Sequence, residues 1–121
     1  MSWSSDDDRV ELIARFTARP GREDEVAHLL LALTAKVREE PGCLAFEPSR
    51  AAASPAGAGL APAPEGHIDR VGRGFVVVEA YRDQAAFTEH LRAPYGAAFN
   101  AALGPLIEED GSVLTFLARL G

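Results

Sequence analysis

Glu79 stands inside the apolar run Phe75-Val-Val-Val-Glu-Ala-Tyr81, and His90 follows about two helical turns into the next segment. A carboxylate within an apolar strand is costly unless it has a partner or a task. An imidazole is the side chain best suited to move a proton near neutral pH. His90 is therefore the candidate general base, acting on a phenol or an activated C–H, a role that typically gives ~10²–10⁴-fold acceleration. Glu79 would set the imidazole tautomer and stabilise the imidazolium or, left unpaired, would be raised in pKa by burial and serve as an acid. Phe46, Tyr81, Phe87, Tyr95, Phe99 and Asn100 are the candidate substrate-binding residues, with Tyr81 or Asn100 placed to hold a ligand oxygen. Aromatic walls with a few polar groups suit a flat, mostly apolar ligand. The plain structural alternative pairs Glu79 with Arg15 on a neighbouring strand and ties His90 to a backbone carbonyl near Pro94.

The elements that must position these groups follow from periodicity. Val10 to Ala18 alternates as a strand, with Val10, Leu12, Ala14 and Phe16 on one face. Arg19-Pro-Gly-Arg22 turns the chain. Glu23 to Glu40 reads as a helix with Val26, Leu29, Leu30, Leu33 and Val37 in one stripe, stopped by Pro41-Gly42. Cys43 to Glu47, extending toward Arg50, is a second strand, and Gly74 to Arg82 is a third, on which Phe75, Val77, Glu79 and Tyr81 share a face. Asp83 is an N-cap for a helix to about Arg92. Pro94 interrupts, a second helical piece runs from Tyr95 to Leu103, and Ser112 to Leu120 is the last strand. The order β-α-β-β-α-β predicts an α+β, ferredoxin-like fold: a four-stranded antiparallel sheet with both helices on one face. The last strand is apolar on both faces, which points to a homodimer packed sheet against sheet. Residues 1–8 read as a disordered tail and 9–121 as a single domain. Residues 51–73, rich in Ala, Gly and Pro, read as a long flexible connection between the second and third strands.

A chain of 121 residues fits one compact domain, and its net charge of −6 without a basic cluster argues against nucleic acid and anionic membranes as partners. No apolar run is long enough to cross a bilayer, and Met1-Ser-Trp-Ser-Ser-Asp-Asp-Asp8 has no signal-peptide pattern, so a cytoplasmic protein is expected. Trp3 belongs to the tail. The single cysteine, Cys43, rules out an intrachain disulfide and reads as a small buried residue. His28, His67 and His90 are too scattered to suggest a metal site. There is no phosphate-binding glycine loop and no Gly-x-Ser-x-Gly elbow.

Arg19-Pro-Gly-Arg-Glu-Asp-Glu-Val26, Arg38-Glu-Glu-Pro-Gly-Cys-Leu-Ala-Phe46, Val78-Glu-Ala-Tyr-Arg-Asp-Gln-Ala-Ala-Phe-Thr-Glu-His90 and Ala93-Pro94-Tyr95, in this order, resemble the antibiotic biosynthesis monooxygenase (ABM) family of dimeric α/β barrels. The resemblance implies a homodimer whose two sheets form a barrel, with a pocket between helices and sheet in each subunit. It implies a cofactor-independent monooxygenase, without flavin, metal or haem, acting with O2 on an electron-rich aromatic such as an anthrone, a hydroquinone or a related polyketide. It carries the family's strand glutamate onto Glu79 and its helix histidine onto His90. Phe46 stands where relatives often have Tyr, and Tyr81 where they often have Trp. Haem-degrading relatives carry an Asn on the first strand that is missing here. Two alternatives stay open: a non-catalytic dimeric module that binds a small ligand, and an isomerase of a small carbonyl compound that shuttles protons with the same Glu and His.

Overall fold

The computed structural model describes residues 8–60 and 70–121. Residues 1–7 of the expected tail, with Trp3, and the part of the long connection that holds His67 lie outside the described residues. The elements are β1 (Val10–Thr17), α1 (Glu23–Val37), β2 (Cys43–Arg50), β3 (Gly74–Tyr81), α2 (Gln84–Arg92), α3 (Pro94–Leu103), a 3-10 turn (Gly104–Leu106) and β4 (Val113–Leu117).

The strands form one antiparallel sheet in the order β2-β3-β1-β4. This is the expected ferredoxin-like topology, but the expected barrel is not formed. The sheet is open: β2 and β4 are its two edges, and neither pairs further among the described residues. Four strands are too few to curl back on themselves, since closure around a filled interior takes about eight.

One face of the sheet carries the core. Leu12, Ala14 and Phe16 of β1, Phe46 of β2 and Phe75 and Val77 of β3 are buried, and most of them join Val26, Leu30 and Val37 of α1 and Leu103 of α3. The opposite face stays open. Val78, Val113 and Leu117 are about half exposed there, and Arg15 lies opposite Val76 and Val113. Among the described residues no helix is long and apolar enough to cross a membrane.

Helix α1 ends at Val37, the last residue of its apolar stripe and three residues before the expected end at Glu40. Pro41 disfavours helical backbone at Glu40, and the chain turns instead, with the Cys43 N–H donating to the Glu40 carbonyl at 3.1 Å. The Arg38 guanidinium donates to the Phe46 carbonyl at 2.9 and 3.1 Å, tying the helix end to β2. The long β2–β3 connection is pinched at its base, where Gly72 N–H donates to the Ala51 carbonyl at 2.8 Å. Gly72 takes a φ of +78° there, a conformation that glycine adopts without strain.

Candidate active site

Helix α2 is launched by Asp83, whose carboxylate accepts the Ala86 N–H at 2.8 Å. Ala86 and His90 are one turn apart and share a face. The Pro41-Gly42 turn lies along this face. The Arg82 N–H donates to the Gly42 carbonyl at 2.8 Å, and a methyl built on Gly42 would sit only 2.3 Å from the Ala86 Cβ. Only a glycine lets the turn come so close. The residue just before the turn, Glu40, is thereby delivered to His90, one turn beyond Ala86.

His90 therefore sits between two carboxylates. Its Nδ1 is 3.1 Å from Glu40 Oε2, a hydrogen bond, and its Nε2 is 3.9 Å from Glu79 Oε1, too long for one. Glu79 is 6% exposed, and its Oε1 accepts the Tyr81 hydroxyl at 2.6 Å. Glu40 Oε2 also accepts the Tyr95 hydroxyl. The order Tyr95–Glu40–His90–Glu79–Tyr81 is a row of polar groups through an otherwise apolar region. Burial pushes the Glu79 carboxyl above its usual range, while the Tyr81 hydrogen bond and nearby His90 offset only part of that rise. Burial and the Glu79 carboxylate push Tyr81 strongly upward, so it remains a hydroxyl donor. Burial, with Glu40 beside it, pushes Tyr95 up to about 12.

A cavity of about 420 Å³ opens between the sheet and the helices. Phe46, Glu79, Phe87, His90, Phe99 and Asn100 line it, with Leu12, Leu30 and Leu103 among its apolar walls. The exposed Leu91, Asn100, Asp110 and Gly111 form its rim. Phe99 packs edge-on against Phe16 at 6.4 Å, and Phe87 against Phe116 of β4 at 5.7 Å. The His90 ring lies 4.8 Å from Tyr81 and 6.2 Å from Phe87, centroid to centroid.

Two candidate residues stand elsewhere. Tyr81 is fully buried beyond the inner end of the cavity, with Leu12 and Ala86, where it supports Glu79 from behind. Tyr95 is on the outer side of His90, against Glu40, with the Lys36 ammonium 5.8 Å from its ring. The Arg15 alternative is not realised: Glu79 lies opposite Leu12, on the other face of the sheet from Arg15. The His90 ring is held by a carboxylate rather than a backbone carbonyl. Glu40 is the neighbour of His90 that pattern reading overlooked. Among the described residues no three His, Cys, Asp or Glu side chains are arranged to hold a metal ion.

Residues 9–59 match the family model described as antibiotic biosynthesis monooxygenase. The structure of Rv0793 from Mycobacterium tuberculosis is 28% identical, with a TM-score of 0.73, and the match covers 93% of this chain and 96% of that one. PA3566 from Pseudomonas aeruginosa is 24% identical with a TM-score of 0.74, over 95% and 97% of the two chains. A Caulobacter crescentus protein is 23% identical with a TM-score of 0.73, over 95% and 92%. The last two similarities concern the fold alone. No curated protein sequence matches this one. These similarities name neither a substrate nor a reaction.

Proposed function

We propose that the chain is an ABM-family monooxygenase that oxidises an electron-rich aromatic, an anthrone, a hydroquinone or a related polyketide, with O2 and no bound cofactor. The observation that supports this most is the pairing of His90 and Glu79 in the wall of one apolar cavity, whose size is that of a small-molecule site. His90 Nε2 removes a proton from the phenol or activated methylene of the bound substrate. The anion passes one electron to O2, and the radical pair recombines to form a carbon–oxygen bond. His90 returns its proton to the peroxide, which loses water and leaves a carbonyl. One oxygen atom ends in the product and the other in water. Glu79 in its protonated form, which burial favours, donates a hydrogen bond to a substrate oxygen, while Phe46, Phe87 and Phe99 clamp the ring and Asn100 meets its outer edge. Turnover under isotopically heavy O2 tests this: one labelled oxygen per product is expected, and product formed without label would refute it.

A second reading, an isomerase of a small carbonyl compound, is favoured by one feature: a base and a carboxyl raised by burial share the same wall. It predicts product under nitrogen, where the oxygenase makes none. We also propose that two copies associate through the open face of the sheet, covering Val78, Val113 and Leu117. Sedimentation at micromolar concentration is expected to give twice the chain mass, and a single-chain mass would refute it.

A further inference from the structure

We propose that Glu40 is the positioning residue of this site: it locks His90 as the Nδ1–H tautomer and so presents a bare Nε2 to the cavity. This rests on reading His90 as the base. The geometry is one-sided. Glu40 Oε2 lies within hydrogen-bond distance of Nδ1, at 3.1 Å, whereas the nearest Glu79 oxygen is 3.9 Å from Nε2. A neutral imidazole carries one proton, and it resides on the nitrogen that has an acceptor.

Glu40 is itself fixed. The Tyr95 hydroxyl donates to the same Oε2, its backbone closes the turn to Cys43, and Gly42 seats that turn against Ala86. The Glu40 and His90 side chains are 16% and 14% exposed, so water competes little for the bond. When Nε2 takes a substrate proton, the imidazolium keeps its Nδ1–H on the Glu40 carboxylate, which stabilises the charge that forms. Glu40 touches neither substrate nor reacting atoms and acts through the ring.

The test is side-chain nitrogen NMR on protein labelled with nitrogen-15 histidine, at about pH 8.5, where an ordinary imidazole is neutral. A His90→Gln protein assigns the resonance. Wild type is expected to show the proton on Nδ1 and none on Nε2. In Glu40→Ala the population moves to the Nε2–H form that solvated imidazoles favour, with the fold checked by circular dichroism. Glu40→Gln keeps the side-chain size and is expected to give a mixture, which serves if the alanine variant does not fold. Wild-type His90 protonated at Nε2, alone or at both nitrogens, would overturn the assignment. A folded variant with an unchanged tautomer would do the same. The tautomer is read without substrate, so this outcome is separate from that of the oxygenase reading. Where oxygen uptake is measurable, Glu40→Ala is expected to lower kcat ~10²-fold with KM within about twofold.

Discussion

Gly42→Ala is a one-methyl change aimed at the contact that brings Glu40 to His90. The new Cβ would lie 2.3 Å from the Ala86 Cβ and 3.4 Å from the Ala86 Cα. Carbon atoms rest at about 3.5–4.0 Å, so turn and helix must part by more than about 1 Å. Neither side yields freely: Gly42 is bonded to Arg82 at 2.8 Å, and Ala86 to the Asp83 cap at 2.8 Å. Overpacking of this kind costs ~1–3 kcal/mol. Ala86→Gly alone loses a buried methyl and helix propensity, roughly 1–2 kcal/mol. In the double variant the contacts left are the Ala86 Cα at 3.4 Å and the Arg82 guanidinium at 3.7 Å, both of ordinary length, so the two losses do not add. The double variant is expected to be no less stable than Gly42→Ala, a coupling of about 1–3 kcal/mol. Urea unfolding of the four proteins at one fixed concentration measures this. Additivity within about 0.5 kcal/mol would show that the turn does not rest on Ala86, and would refute the route by which Glu40 reaches His90.

Other consequences concern the two perturbed carboxyls, which respond to pH in opposite senses. Glu79 has a raised folded pKa, so its contribution is fully present below the unfolded value near 4.5 and is lost as pH rises through the folded value. Glu79→Gln, which still accepts the Tyr81 hydroxyl, is expected to match or exceed wild-type stability at pH 7, with the advantage gone near pH 4; a wild type that gains on the variant as pH rises would contradict this. Glu109 is lowered: burial works against it, but the Thr17 N–H at 2.7 Å and hydroxyl at 2.8 Å prevail. Its stabilisation is present above the unfolded value and lost as pH falls through the folded one. Glu109→Gln is thus expected to cost about 1 kcal/mol at pH 7 and progressively less below pH 4, by urea unfolding at each pH.

The periodicity of Val10–Thr17 and Gly74–Tyr81 made the buried face of the sheet legible, because alternation is imposed by the strand itself. Glu79 and His90 were legible as chemical candidates, one as a charge out of place in an apolar strand, the other as a histidine on the face that Phe87 must bury. Glu40 was not. By pattern it is one more acidic residue at a helix end, beside Glu39, and its meeting with His90 depends on packing between segments 50 residues apart. The available signal was Pro41-Gly42, read only as a helix stop and not as the close approach that Gly42 allows. Tyr81 shares a strand face with Glu79, as alternation requires, yet the cavity ends before reaching it, since Leu12, Ala86 and Phe87 close over its ring. A period of two assigns a face but not a depth along the strand. The barrel followed from the resemblance alone; no pattern within the chain specifies closure, and the sheet is open.

The central claim is that His90 is the base of an oxygen-consuming reaction in this cavity. The most direct test is oxygen uptake by wild type and His90→Ala on a panel of anthrones and hydroquinones, with no cofactor added and both proteins shown to be folded. The account predicts uptake by wild type that falls ~10²–10⁴-fold in the variant. Equal uptake by both proteins, or none above background in wild type, would contradict it.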